Sequence, residues 1–293
     1  MTSSELDLVR RIRARSRLAS ARGLVVGIGD DCAVFRPRPG EDLLFTTDLL
    51  IEDVHFRRDT HSAAEIGHKA LARGLSDIAA MAGDPRFCLL SLALPAWADD
   101  AWVQDFFTGL FRLARRWNTP LAGGDLSRAR QLTCDIVVCG ASPRGQALRR
   151  DAARIGDLIY VSGRLGHLWQ EHRTPQPRID VGRKLRGRAT AAIDLSDGLS
   201  LDLRRLCVAS KVSAELESIP VMQGATLEQA LHGGEDYELL FTMPPGAKPP
   251  RGSFRIGKIV RGRAGAVRLN GERVPAKGYD HFRSDRPETR HSP

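Results

Sequence analysis

Residues 62–83, SAAEIGHKALARGLSDIAAMAG, decide how the chain is read. Apolar residues recur there at helical spacing. The short apolar runs on either side, LLFTTD (43–48) and CLLSLAL (88–94), end in turn residues as strands do. The spacing therefore predicts alternating strands and helices. One acid, Asp77, lies inside this helix among Leu75, Ile78, Ala79 and Met81. An ionised carboxylate in such a setting is costly unless it is paired.

The same alternation extends outward. LVVGIG (24–29) and QLTCDIVVCGA (131–141) read as strands, and residues 98–118 as a helix opening on capping aspartates. The polar, turn-rich segment 142–157 divides the chain. Beyond it come strand LIYVSG (158–163), helix GLSLDLRRLCVAS (198–210), and strands YELLFTM (237–243), FRIGKIV (254–260) and AVRLNG (266–271). The expectation is a two-domain α/β protein with mixed sheets, divided into residues 1–143 and 144–283. Residues 284–293 have too little apolar content to order themselves.

The 293 residues, 42% hydrophobic and 27% charged, suffice for two cores. No run approaches the ~18 apolar residues of a membrane span, and the N-terminus lacks the apolar core of a secretory signal. These readings place the chain in the cytoplasm, away from membranes. Five cysteines without C-x-x-C spacing argue against a zinc site and a disulfide framework. The net charge of +9 is spread along the chain, and only six of the 44 basic residues are lysine. With aromatics at 6%, nothing forms a nucleic-acid stripe. The common phosphate loop, the dinucleotide fingerprint, H-E-x-x-H and G-x-S-x-G are all missing.

What recurs instead is acid at the end of apolar runs: Asp31 in GIGDD, Asp48 in TTD, Asp125 in GGD, Asp194 and Asp197 in AIDLSDG, and Glu235 with Asp236 in GGEDYE. Asp after Gly is also an ordinary turn residue, and LSDG also suits a helix cap. Their joint occurrence beside Gly pairs or Ser and Thr favours one shared site. Few basic residues stand beside these acids: Arg128 follows Asp125, and Lys69 lies two turns before Asp77. Hard Mg²⁺ ions, which accept carboxylate and hydroxyl oxygens, are the natural counter-charge.

Seven blocks carry a resemblance: VGIGDDCAVF (26–35), TTDLLIEDVHF (46–56), GHKALARGLSDIAAMAGDP (67–85), LAGGDLSR (121–128), AAIDLSDGLSLDL (191–203), HGGEDYELLFT (232–242) and KGYDHF (277–282). In order and approximate spacing the chain resembles the thiamine-monophosphate kinase family of the aminoimidazole-ribonucleotide-synthetase-like superfamily, from about Glu5 to Phe282. The resemblance implies Mg²⁺-dependent phosphorylation of thiamine monophosphate by ATP, two α/β domains, and a homodimer formed through the N-terminal sheets. It implies a metal set of Asp31, Thr46, Thr47, Asp48, Asp77, Asp125, Asp194 and Asp197. Nucleotide contacts fall at Gly124, Asp125, Arg150 and Ser196, and substrate contacts at His55, Glu235 and Tyr279. Asp48, Asp125 and Arg150 are the expected catalytic residues.

Some positions depart from the pattern: Asp53 for Gly, RGLSD with Gly74 for Asn, Leu126 for a hydroxyl residue, and His232 for Ser. Two C-terminal segments are compact. The other readings weighed are another ATP-using phosphotransferase of the superfamily, a non-catalytic sensor of nucleotide or thiamine phosphates, and a nucleic-acid binder.

Overall fold

A computed structural model describes residues 5–16, 23–167 and 171–279. The expected disordered tail, and Asp280 to Phe282 of the last block, lie outside the described residues.

The first half builds a four-stranded sheet in the order β3-β6-β4-β5 from β3 (Glu41–Ile51), β4 (Asp84–Leu94), β5 (Leu121–Arg128) and β6 (Thr133–Pro143). β4 runs parallel to β5 and antiparallel to β6. One face packs on α2 (Ala63–Ala80) and α3 (Asp100–Arg116). α2 starts on a capping box, with Ser62 accepting from the Glu65 amide while Glu65 bonds back to the Ser62 amide. The two helices cross with their backbones touching. A Cβ on Gly67 would lie 2.0 Å from the Phe106 carbonyl, and one on Gly109 would lie 1.8 Å from that of Ala64. α1 (Glu5–Ser16) buries Leu8 and Ile12 against the same core.

The other face of this sheet is open along β3, where Phe45 is 64% and Leu49 46% exposed. At one end it is covered by the hairpin of β1 (Leu24–Val26) and β2 (Val34–Phe35), with Phe35 and Phe87 ring centroids 5.1 Å apart.

The second half forms a seven-stranded mixed sheet. In chain order its members are β7 (Leu158–Val161), α4 (Ile179–Leu185), β8 (Ala191–Asp194), α5 (Leu199–Ala209), β9 (Ser213–Leu216), α6 (Leu227–His232), β10 (Leu239–Met243), β11 (Phe254–Val260), β12 (Val267–Leu269) and β13 (Glu272–Arg273). Period-2 alternation divides its side chains between two cores. Tyr160, Ala192, Leu239 and Phe241 join the α2 core, whereas Ile159, Val161, Ile193 and Leu240 join a second core under α5 and α6. Both faces are therefore buried, which is why YELLFTM is apolar at nearly every position. α2 is the wall shared by the halves: a Cβ on Gly182 of α4 would lie 2.2 Å from the Ala79 carbonyl.

The expected strand 24–29 ends at Val26, and residues 27–33 form a loop. The GGD block, expected at the end of an apolar run, lies inside β5.

Candidate active site

Alternation along β3 sends Thr46 and Asp48 toward α2 and Thr47 to the opposite face. Thr46 donates its hydroxyl proton to the Asp77 carboxylate. One turn earlier on α2, Arg73 holds Asp48 at 2.9 Å and donates to the Leu49 carbonyl at 3.0 Å. Ser76 donates to Asp194, at the end of β8, at 2.9 Å. Three elements thus bring Asp48, Asp77 and Asp194 together, and Asp194 feels the charge of the other two.

Burial raises the Asp48 carboxyl to about 6, against the pull of Arg73 and with Asp77 and Asp135 adding repulsion. Asp77 is raised by burial and opposed by the Thr46 hydrogen bond and by the charges of Arg73 and Arg150. Asp194 is raised well above the carboxylate range by burial, then by Asp77, Asp202 and Asp48. Arg150 itself is exposed, with its carbonyl taken by Ser210 at 2.8 Å.

On the opposite face, Thr47 donates to Asp135 at 2.6 Å. The sheet register places Asp135 and Asp125 on either side of Ser91. Gly124 has φ +153°, and a Cβ there would lie 1.9 Å from the Leu90 carbonyl, so only glycine lets β5 approach β4 this closely. Ile28 of the 27–33 loop meets this strand across a pocket of about 70 Å³ that Ile12, Leu121, Gly123 and Asp125 also line. Asp31 is exposed in the same loop, its amide bonded to Asp30 at 2.9 Å. Among the described residues no hydrogen bond or ion pair joins Asp31 or Asp125 to the Asp48–Asp77–Asp194 group. Nor do three His, Cys, Asp or Glu side chains converge tightly enough among them to hold an ion unaided.

A third cluster lies past the N-terminal half of α2. Lys69, 1% exposed, pairs with Glu235 at 2.8 Å and donates to the His55 carbonyl at 3.0 Å. The His55 ring accepts from the Ile51 amide at 3.0 Å. Gly234 and Glu235 both have positive φ, 74° and 58°, and the Glu235 amide donates to the Ser196 carbonyl at 2.8 Å. Burial alone would push Glu235 up, but the Lys69 charge and hydrogen bond, with His172 and Arg73, bring it down to about 2.

Asp197 is paired with Arg205 at 2.5 Å, and its amide donates to Asp202 at 3.0 Å. The Tyr279 amide donates to the Asp197 carbonyl at 3.1 Å. Ser200 at 2.6 Å and His232 at 2.9 Å hold the Lys277 carbonyl just before it. His232, a departure in the sequence, therefore anchors the segment that carries Tyr279.

The sequence named the acids but not all their partners. Lys69, two turns before Asp77 in sequence, serves Glu235 instead. Asp48 and Asp197 each have an arginine, Arg73 and Arg205, so the scarcity of nearby bases read from the chain does not hold in space. Asp135, an acid interrupting an apolar strand, is a signal of the site legible in the sequence.

Residues 29–143 match the model of "AIR synthase related protein, N-terminal domain". The chain is 38% identical over 276 residues to thiamine-monophosphate kinase of Salmonella typhimurium, covering 83% of this chain and 84% of that protein. The crystal structure of thiamine-monophosphate kinase from Stenotrophomonas maltophilia K279a superposes with a TM-score of 0.80 at 36% identity, over 94% of this chain and 99% of that one. The structure described as "AaThiL complexed with AMPPCP and TMP" gives a TM-score of 0.78 at 29% identity, over 94% and 96% respectively.

Proposed function

Since the chain belongs to the thiamine-monophosphate kinase family, we propose that it transfers the γ-phosphoryl group of ATP to thiamine monophosphate, giving thiamine diphosphate and ADP. The carrying observation is the convergence of Asp48, Asp77 and Asp194 from β3, α2 and β8 beside a separate Lys69–Glu235 cluster. One end suits polyphosphate and its cations, the other a cationic ring. A relative of the same fold described with AMPPCP and TMP supports both ligands.

The donors on offer, Thr and Asp oxygens, fit Mg²⁺, which keeps waters and substrate phosphates among its ligands. That preference suits a centre whose acids do not enclose an ion alone. Asp48, Asp77 and Asp194 would hold it from the α2 side, and Asp31, Thr46, Thr47, Asp125 and Asp197 would extend the set. When bound, Mg²⁺ neutralises the charge of the phosphates.

The acceptor phosphate, with a second pKa near ~6, is already ionised at neutral pH, so the protein need not supply a strong base. Its work is alignment and charge compensation. Arg150, exposed yet within electrostatic reach of Asp77, is suited to stabilise charge developing on the transferred group. Gly124 and Ser196 offer backbone and hydroxyl contacts to the nucleotide. Glu235 pairs with the cationic end of the substrate, while Tyr279 and His55 border it.

The open face bearing Phe45 and Leu49 supports a homodimer through the N-terminal sheets. The end of β6 at Pro143 supports a domain division at 143/144. A cytoplasmic location goes with ATP as co-substrate, and no helix among the described residues is long and apolar enough to cross a membrane.

The deciding experiment is a coupled assay of purified protein with MgATP and thiamine monophosphate, scoring ADP and thiamine diphosphate together. Equal, Mg²⁺-dependent formation of both is expected. ADP alone would point to another acceptor, and nucleotide binding without turnover would point to a sensor.

A further inference from the structure

Among the described residues, Arg73 is the basic side chain of α2 that pairs with the acidic centre, and its side chain is 14% exposed. Its fork is spent on β3: Nη2 lies 2.9 Å from Asp48 Oδ1, and Nη1 donates to the Leu49 carbonyl at 3.0 Å. The adjoining Gly74 leaves no side chain between helix and sheet. A Cβ there would lie 2.6 Å from Val138 and 3.6 Å from the Thr46 methyl. The helix is therefore pressed against the strand that carries Thr46 and Asp48. The carboxylates whose charge acts on Arg73 are Asp48, Glu235 and Asp77.

We propose that Arg73 is the resident counter-cation of the acidic centre: without a metal its guanidinium occupies the Asp48 carboxylate, and a divalent cation must displace it to use Asp48 fully. The proposal rests on the reading of Asp48 as a metal ligand. Two cations a few ångströms apart repel strongly in a buried site, so guanidinium and metal compete for one carboxylate. The competition has two consequences. The buried acids have a partner in the metal-free chain, which is therefore stable without magnesium. Metal binding is in turn weakened by the work of moving Arg73 aside, and the freed guanidinium remains inside the site, between Asp77 and Glu235.

The test uses Mn²⁺ as the probe, titrated into metal-free full-length protein without substrates and followed by electron paramagnetic resonance, with melting measured in EDTA and in excess Mg²⁺. Wild type is expected to gain less in melting temperature from excess Mg²⁺ than R73Q does. R73Q should melt lower in EDTA, recover with Mg²⁺, and bind Mn²⁺ about tenfold more tightly. The double variant R73Q/D48N should lose the Mg²⁺ dependence again. Equal Mn²⁺ affinity in wild type and R73Q, or Mn²⁺ binding in neither, overturns the proposal.

Should R73Q not fold, R73M decides: methionine fills much of the same volume without the charge, so tighter Mn²⁺ binding than wild type supports the proposal and equal binding overturns it. Because no substrate is present, these results stand apart from the coupled assay. Normal turnover with an unaltered R73Q titration removes this inference alone, whereas absent turnover bears on the kinase reading.

Discussion

Ser76 donates a hydrogen bond to Asp194 across 2.9 Å, tying the middle of α2 to the end of β8 in the other sheet. Both groups are buried, so the bond is not shared with water. Ser76→Ala leaves the Asp194 carboxyl short of a partner and is expected to cost about 1–3 kcal/mol in urea unfolding, with a fall in turnover as Asp194 loses its orientation. A stability change indistinguishable from zero would mean that Asp194 is held by something else.

The Lys69–Glu235 pair gives a second expectation. Lys69→Met strands a buried carboxylate, at a cost of about 3 kcal/mol, toward the low end because a fifth of the Glu235 side chain is exposed. Adding Glu235→Gln should recover part of the loss. Glu235 is depressed from 4.5 to about 2, so its contribution is fully present above the upper value and lost as pH falls toward the lower. Acid unfolding of Lys69→Met should accordingly be flatter across that window than that of wild type.

Asp48 runs the other way. Its folded-state value of about 6 lies above the ordinary 3.8, so the metal-free protein loses stability as pH rises between them. A cation favours the ionised form, so Mg²⁺ binding below pH ~6 should release protons and binding at pH ~8 should release few. Calorimetric titrations in buffers of different ionisation enthalpy count them. Proton release that is the same at both pH values would show that Asp48 is not part of the metal site.

Asp125 is exposed on an edge strand, and the fold does not lean on its charge. Asp125→Asn is expected to change unfolding free energy by less than about 0.5 kcal/mol. The same change should lower kcat at least about 100-fold if the residue compensates phosphate charge. Full activity would remove Asp125 from the catalytic set.

The acids of the site were legible because each interrupts or ends an apolar run, and Asp77 stood out because its immediate neighbours in the helix are mostly apolar. Their partners were hidden because pairing is not written locally. Arg73 meets Asp48 from 25 residues away, and Glu235 meets Lys69 from 166 away. Residues 121–128 lost their strand character in the sequence to Gly123 and Gly124, yet parallel pairing with β4 overrides that weak propensity. α4, β9 and α6 escaped notice because seven, four and six residues are too few to establish a period. α1 is rich in arginine, and its buried Leu8 and Ile12 are intelligible only with the core in view.

The helix that both halves share also limits how such a protein can change over time. Insertions and deletions can accumulate in the outer segments of the second half without reaching the acids. Neither sheet can be exchanged, lent to another protein or expressed alone with its chemistry intact, because each would leave with only part of the α2 wall. Lineages built on this plan should vary by trimming and extending their periphery, and not by recombining their halves.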